Sequence, residues 1–321
     1  MKLLRIEDFQ KEHIPAVEAI VLQNYREELQ MQKFLPTVVS CPELEGFVSN
    51  GLGVVAFDDD KLVGFLSCYK PNPRAFRSTT AIGVYSPLEA NGAIGLHRDK
   101  IYARLYEVAA RKWLKVGATN HTITLYAHAQ QALQQMYKYG FGLRLIDAMR
   151  DVSALGLTSE ANPSYKYEEL EIDNYELLLP LNKSLVEHLA ASPTFMRNPE
   201  IDEKAILVEL KKGGARYFVI RKADEIIAYL KVTTHGENFI CENTQTASIF
   251  GAYCLPEHRG NDNFAHLLDQ VISQMSKEGY QRVGVDFESF NPTALNFWLK
   301  YFSAYTNSVV RRIDEQVIAY L

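Results

Sequence analysis

The stretch between Gly251 and Phe302 holds the residues best suited to chemistry. An apolar strand ends at Pro256, and the polar turn Arg259-Gly260-Asn261 leads into a helix. A turn of this kind at a helix start leaves several backbone N–H groups without partners and pointing at one spot. The positive end of the helix dipole adds to them, so the sequence predicts a site for an anion such as a phosphate.

A second strand and a second helix follow, and this helix begins near Asn291. The order strand, Pro-x-x-Arg-Gly turn, helix, strand and Asn-x-x-Ala helix resembles the acetyl-CoA core of the GNAT superfamily of N-acetyltransferases. The resemblance implies an α/β fold with mixed, mostly antiparallel sheets flanked by helices. It also implies that the turn holds the pyrophosphate of acetyl-CoA, the cosubstrate. Asp262 and Phe264 depart from the family loop, which has small residues at both places.

On this resemblance, the second half of the chain binds the cosubstrate through a strand end, the turn, the helix start and the later asparagine. The expected cofactor-binding residues are Tyr253, Cys254, Leu255, Arg259, Gly260, Asn261, Asp262, Asn263, Phe264, Ala265 and Asn291. A backbone N–H between Tyr253 and Leu255 is expected to stabilise the developing oxyanion. Two alternatives stay open, since Asn291 also suits a helix N-cap and Arg259 also suits a solvated surface position.

Acetyl transfer needs an uncharged amine and a proton for the departing thiolate. The family often uses a tyrosine as the acid, but the matching positions hold Trp298 and Met136. Tyr301 lies close by, and Glu242 lies on the approach to the central strand, so these two are the catalytic candidates. The acceptor is expected in a pocket lined by Tyr217, Phe218, Tyr229 and Tyr253.

The two halves of the chain repeat one order of elements. Tyr102–Leu105 lines up with Phe264–Leu267, and Ala132 lines up with Ala294 at the same spacing. An ordered series of matches indicates a duplication. The resemblance therefore extends to tandem GNAT proteins and covers nearly the full chain.

The predicted architecture is two GNAT-like domains, at 1–154 and 166–321, joined by a polar linker at 155–165. The first copy has extra residues after the strand that ends at Pro87, and these are expected to alter its turn. The second half is therefore expected to bind the cosubstrate.

Composition narrows the class of protein. The 321 residues are 47% hydrophobic and 23% charged, as in ordinary globular proteins, and the net charge of -5 argues against a nucleic-acid partner. The four cysteines are far apart and lack zinc-ligand spacing, so free thiols and no metal are expected. With no signal peptide and no apolar run of ~18 residues, the protein is expected to be cytoplasmic, without a membrane partner. The sequence leaves a homodimer open.

The sequence predicts an N-acetyltransferase that moves an acetyl group from acetyl-CoA to an amine of a small molecule or peptide. A second hypothesis is a degenerate pair that binds an acyl-CoA or another ligand without turnover, and the aromatic and acidic departures favour it. The Arg259-Gly260 turn and Asn291 favour the enzyme. A protein whose halves only pack together is a third hypothesis.

Overall fold

A computed structural model describes residues 4–73, 81–196, 203–211, 214–260 and 262–320. By its internal contacts the chain divides into two compact units. The first unit holds Met1–Asp147 and Ala304–Leu321, and the second holds Ala148–Ser303. Within the described ranges, no helix combines the length and the apolar character that a membrane crossing requires.

This division differs from the domain boundaries expected at 1–154 and 166–321. The segment from Ala304 onward belongs to the first unit, and the expected linker at 155–165 belongs to the second. Its residues form neither helix nor strand until Tyr165, and the Leu155 N–H donates to Asp269 Oδ1 at 2.7 Å. The polar segment therefore follows the surface of the second unit.

Two sheets and four helices form the described part of the first unit. The antiparallel sheet has the order β1 (Arg5–Asp8), β2 (Val54–Asp58), β3 (Lys61–Leu66) and β6 (Asn91–Ala93). The second sheet has the order β4 (Asn72–Pro73), β5 (Ile82–Ser86), β7 (Ala118–Tyr126), β15 (Thr306–Arg312) and β8 (Gly142–Asp151). The helices are α1 (Ile14–Met31), α2 (Glu45–Ser49), α3 (Arg98–Lys115) and α4 (Gln130–Lys138).

The core of the first unit forms where the apolar face of α3 meets β7. Ile101, Leu105 and Ala109 recur at helical spacing and pack in one cluster with Ile123 and Leu125. Because side chains alternate along a strand, Ile123 and Leu125 share one face of β7. This burial fixes which face of the strand the helix covers.

The strand break in the first unit explains the extra residues of the first copy. β5 ends at Ser86, a single 3-10 turn follows over Leu88–Ala90, and β6 then pairs antiparallel with β3. The extra residues thus form a 3-10 turn and a short strand between β5 and α3. Pro87 follows the end of β5 directly, as the sequence predicted.

The second unit has one described sheet, in the order β13, β12, β11, β10 and β9. β12 and β13 are parallel, and the other pairs are antiparallel. The strands are β9 (Tyr165–Leu170), β10 (Arg216–Lys222), β11 (Glu225–Thr233), β12 (Thr246–Cys254) and β13 (Arg282–Glu288). The helices are α5 (Leu179–Ala190), α6 (Glu203–Leu210), α7 (Asn263–Lys277) and α8 (Pro292–Tyr301), and a short strand β14 (Ser303–Ala304) spans the boundary between the units.

Each unit contains a hairpin with a two-residue turn. β2 and β3 join through Asp59 and Asp60, and β10 and β11 join through Ala223 and Asp224. In each hairpin one turn residue, Asp59 or Ala223, has a positive φ, which a tight connection between twisted strands requires. The two units therefore share their order of elements from the hairpin to the strand that precedes the last helix.

Candidate functional site

The open edge of β12 is the feature on which the site is built. Near its start, from Thr246 to Ile249, β12 pairs with the parallel strand β13. Beyond Ile249 the pairing with β13 ends, while the pairing with β11 continues to Cys254. The two parallel strands thus separate, and one edge of β12 becomes available to a ligand.

Strand geometry decides which backbone groups face this edge. Leu255 N–H donates to Ile227 O at 2.9 Å, and in an antiparallel pair the bonded residues alternate. Leu255 and Tyr253 therefore direct their N–H groups toward β11, whereas Cys254 directs its N–H away from β11. Of the three residues expected to supply an oxyanion donor, Cys254 alone has the right direction. Leu255 is excluded because its N–H is already bonded.

The turn after β12 forms the second wall of the site. A short 3-10 turn covers Pro256–His258, Gly260 has φ +84°, and Asp262 has φ 55°. The first amides of α7 have no partner within the helix, and the Asp262 side chain makes no capping hydrogen bond to them. They include those of Asn263 and Ala265, two of the expected binding residues. Asn261, also expected here, lies outside the described residues.

Aromatic rings form the third wall, where α7 faces α8. The Phe264 ring lies 5.1 Å from Phe297 and 6.4 Å from Trp298, edge-on in both contacts. Phe297 lies in turn 5.2 Å from Tyr301. Phe264 thus belongs to an aromatic cluster, and its ring lines the cavity beside the turn. The bulky side chain found where the family has a small one is accommodated by this packing.

These walls enclose a cavity of about 260 Å³. Of the expected binding residues, it is lined by Tyr253, Cys254, Arg259, Gly260, Asp262, Phe264, Ala265 and Asn291. Asn291 is the N-cap of α8, where its side chain accepts a hydrogen bond from the Ala294 N–H at 3.4 Å. It also lines the cavity, so its position is compatible with both the capping role and the ligand-binding role. Leu255 and Asn263 do not line it.

The two catalytic candidates have different positions. Tyr301 lines the cavity, and the Lys300 ammonium lies 5.0 Å from the centroid of its ring. Glu242 is exposed, in the loop before β12, and does not line the cavity. The structure therefore brings Tyr301 to the cosubstrate groups and leaves Glu242 apart from them.

The expected acceptor pocket does not form as a unit. Tyr217 and Tyr229 are almost fully buried in the core of the second unit, packed with Tyr175, and Phe218 is buried as well. Of the four residues in that expectation, Tyr253 alone lines the described cavity. These aromatic residues were assigned to a pocket wrongly, because apolar residues give a strand the same sequence pattern whether they face a pocket or a core.

Sequence reasoning missed His188, which α5 carries into the cavity. Its ring lies 6.1 Å from that of Tyr253, and Leu185 lines the cavity one helical turn earlier. Among the described residues that line the cavity, His188 is the one with an imidazole, the side chain that most often serves as a general base in enzymes. No motif surrounds it, so only the packing of α5 against β12 could reveal it.

Charged side chains that line the cavity form hydrogen bonds and ion pairs with neighbouring residues. Arg259 Nε donates to Cys254 O at 3.0 Å, and its guanidinium lies 5.5 Å from the Tyr253 ring centroid. Asp262 Oδ2 accepts from Ser159 Oγ at 3.0 Å, and Lys300 Nζ is 3.9 Å from its other oxygen. Lys300 thus offsets part of the negative charge that Asp262 brings to the start of α7.

Burial controls the two titratable groups at the end of β12. Desolvation raises the pKa of the Cys254 thiol to about 11, against a smaller opposing effect of Arg259. It also raises the pKa of Tyr253, and Arg259 again opposes the rise. Both groups are therefore protonated near neutral pH, and Cys254 has little thiolate with which to act as a nucleophile.

The corresponding region of the first unit is filled by its own side chains. Asn91, at the start of β6, donates to Pro87 O at 2.8 Å and to Thr124 O at 3.0 Å. Tyr102, which aligns with Phe264, donates its hydroxyl proton to Asn91 Oδ1 at 2.8 Å. This buried network links the start of β6 to β7 through the Asn91 side chain.

Comparisons with known proteins agree with this geometry. Residues 182–303 match the model of the acetyltransferase (GNAT) family. No curated protein matches the chain.

Two solved structures share the fold. A GCN5-related N-acetyltransferase from Sphaerobacter thermophilus superposes with TM-score 0.55 at 10% identity, covering 97% of this chain and 96% of the other. A GCN5-related glucosamine N-acetyltransferase region of a fungal multi-domain β-N-acetylglucosaminidase superposes with TM-score 0.52 at 12% identity, covering 96% of this chain and 38% of that one. Residues 182–303 therefore match a GNAT acetyltransferase domain, and the chain as a whole shares the fold of GCN5-related N-acetyltransferases.

Proposed function

We propose that this chain is an N-acetyltransferase that uses acetyl-CoA bound in the second unit to acetylate an amine of a small molecule or peptide. The observation that carries the proposal is the cavity between the open edge of β12, the start of α7 and α8. It combines uncapped helix amides, a strand edge and an aromatic wall in one place. An elongated ligand with an anionic end and an amide-bearing arm fits these three surfaces.

The donor groups suit the diphosphate of acetyl-CoA. Amides at the start of a helix bind anions, and the Asp262 side chain does not cap those of α7. Lys300 supplies a positive charge within 3.9 Å of Asp262. Arg259 lies over Tyr253, bonded to Cys254 O, so it is expected to turn toward the diphosphate when the cosubstrate binds.

The reacting end would lie where β12 meets α5 and α8. Acetyl-CoA supplies an activated acyl group as a thioester. The Cys254 N–H faces the open edge and would donate to the carbonyl oxygen as negative charge develops there. His188 would accept the proton that the attacking amine loses, and Tyr301 would donate a proton to the departing sulfur. The C–N bond would form as the C–S bond breaks. The proton taken up by His188 and the proton lost by Tyr301 are equal in number, so exchange with solvent returns both side chains to their starting forms.

The test is a thiol-release assay with acetyl-CoA and a panel holding an amino sugar, a polyamine and a peptide with a free N-terminus. We expect His188→Gln and Tyr301→Phe each to lower kcat about 100-fold, as for loss of a general base or acid. The KM for acetyl-CoA should change less than about threefold, since Tyr301→Phe keeps the ring against Phe297. Matched controls are His235→Gln and Tyr320→Phe, which alter exposed residues.

Three results would count against the proposal or against the roles of its residues. Calorimetry that detects no acetyl-CoA binding would remove the cosubstrate from the second unit. Tight binding with no thiol release on any amine would instead support the ligand-binding protein. Equal loss of activity in the variants and their controls would exclude the roles given to His188 and Tyr301.

A further inference from the structure

Arg259 occupies a place in the cavity that suits a positive charge. Its guanidinium lies 5.5 Å from the centroid of the Tyr253 ring, within the range of a cation–π interaction. Its Nε donates to Cys254 O at 3.0 Å. All three residues line the cavity, and Tyr253 is 7% exposed. An aromatic face and a backbone carbonyl thus form a binding place for a cation, and the chain fills it with its own side chain.

The backbone of β12 places this carbonyl beside the expected oxyanion donor. In an antiparallel pair, the N–H and C=O of one residue point to the same side. The Cys254 N–H is directed away from β11, so its C=O faces the open edge as well, where it accepts from Arg259. A cation held at Cys254 O therefore lies next to the place expected for the thioester carbonyl.

The electrostatic surroundings favour a cation at this place. Burial is the main cause that raises the pKa values of Tyr253 and Cys254, and the charge of Glu257 adds to both while Arg259 opposes them. A carboxylate thus acts on the same two residues as the guanidinium does. If Arg259 leaves, the ring face, the carbonyl and the nearby negative charge remain for another cation.

Arg259 is held by partners that an anion can replace. The Tyr253 ring and the Cys254 carbonyl are both uncharged, whereas a hydrogen bond between two charged groups is about twice as strong as a neutral one. The half-buried side chain lies in the turn before α7, next to Gly260. A diphosphate at the start of α7 would therefore draw the guanidinium away from Tyr253. The two positions of one side chain exclude each other.

We propose that the place filled by Arg259 is the binding site for the ammonium group of a primary amine, the acceptor. Its N–H groups donate to Cys254 O, and its charge lies over the Tyr253 ring. Two cations cannot share this place, so Arg259 blocks the amine until the cosubstrate draws the guanidinium to its diphosphate. The inference rests on the proposed function and adds to it the acceptor's charge, its position and the dependence of its binding on the cosubstrate.

The site also brings the amine to its base. The His188 ring lies 6.1 Å from the Tyr253 ring. The bound ammonium first gives one proton to His188, which passes it to solvent, and the neutral amine then attacks the thioester carbon. The nitrogen loses its second proton to His188 as the C–N bond forms, and the sulfur gains one from Tyr301 as the C–S bond breaks. Each transfer therefore releases one proton to solvent in total.

The experiment is calorimetric titration of the full chain with n-butylamine, in the absence and presence of saturating CoA, with 1-butanol as the uncharged comparison. We expect CoA to strengthen n-butylamine binding about tenfold, because it removes the competing cation. Arg259→Gln should give the same gain without CoA, and 1-butanol should show no such gain. Tyr253→Leu, added to Arg259→Gln, should weaken the amine about fivefold through loss of the ring face. Arg111→Gln is the matched control, since Arg111 is an exposed arginine of the first unit.

The outcomes separate this site from the proposed function. A gain of amine affinity in Arg259→Gln without CoA, and no gain in Arg111→Gln, supports the site. The same weak binding in Arg259→Gln and the unmodified chain overturns it, as does amine binding that Tyr253→Leu leaves unchanged. If Tyr253→Leu does not fold, the two arginine variants decide the question.

The Arg259→Gln titration needs no cosubstrate, so it keeps its meaning if CoA does not bind. A chain that binds no CoA, but gains the amine in Arg259→Gln, loses the proposed function and keeps the ammonium site. A chain that releases thiol from acetyl-CoA, but gains no amine affinity in Arg259→Gln, keeps the proposed function and loses the site.

Discussion

His121 gives the first unit a pH dependence whose size follows from the structure. Its imidazole is fully buried, with Nδ1 2.9 Å from the Tyr106 hydroxyl and Nε2 2.9 Å from Ala118 O. A carbonyl can only accept, so Nε2 carries the proton and Nδ1 accepts from Tyr106. Desolvation lowers the pKa of His121 from 6.5 to about 4, although the bond to Ala118 opposes the fall.

The sign and the magnitude follow from linkage. Between pH 6.5 and about 4 the unfolded chain binds a proton at His121 and the folded chain does not. The free energy of unfolding is therefore unaffected by His121 above pH 6.5 and falls as the pH drops toward 4. At ~1.4 kcal/mol for each pKa unit, the loss is about 3 kcal/mol.

The assay is urea unfolding followed by tryptophan fluorescence at pH values from 4 to 7. The chain has two tryptophans, so a Trp298→Phe background leaves Trp113, 5.0 Å from the His121 ring, as the reporter of the first unit. His121→Gln should lower stability at every pH through lost packing but should remove most of the slope below pH 6.5. His97→Gln, at an exposed position, should keep the slope. A slope that persists in His121→Gln would refute the assignment of a neutral buried imidazole.

Two further predictions concern the second unit. Asp262→Asn should lower the Kd for acetyl-CoA about threefold in calorimetry, since ~0.6 kcal/mol is typical for one exposed charge near a helix start. The control is Asp224→Asn, in the exposed hairpin turn, which should leave the Kd unchanged. An unchanged Kd in both variants would place the diphosphate elsewhere. Asn291→Ala removes the acceptor of the Ala294 N–H and should lower the free energy of unfolding of this unit by about 1 kcal/mol in denaturant titrations. Asn291→Asp keeps a capping oxygen, so a loss as large as that of the alanine variant would contradict the capping role.

The sequence predicts strand ends, turns and helix caps correctly where the residues that form them are neighbours in the chain. The Pro256 strand end, the Gly260 turn, the start of α7 and the Asn291 cap all lie where the sequence predicted them. Each depends on groups within a few residues of one another, such as a helix amide and its cap. Most of the expected binding residues therefore line one cavity.

The sequence by itself thus determined the repeated order of elements and the turn on which the site is built. Only the tertiary structure decided that β15 lies between β7 and β8 in the first unit, because strand pairing over 180 or so residues leaves no local mark. It alone brought His188 to the cavity, left Glu242 outside it and directed the Cys254 N–H to the open edge. The physical reason is that direction and partnership depend on which distant segments pack together, whereas turns and caps depend on adjacent residues.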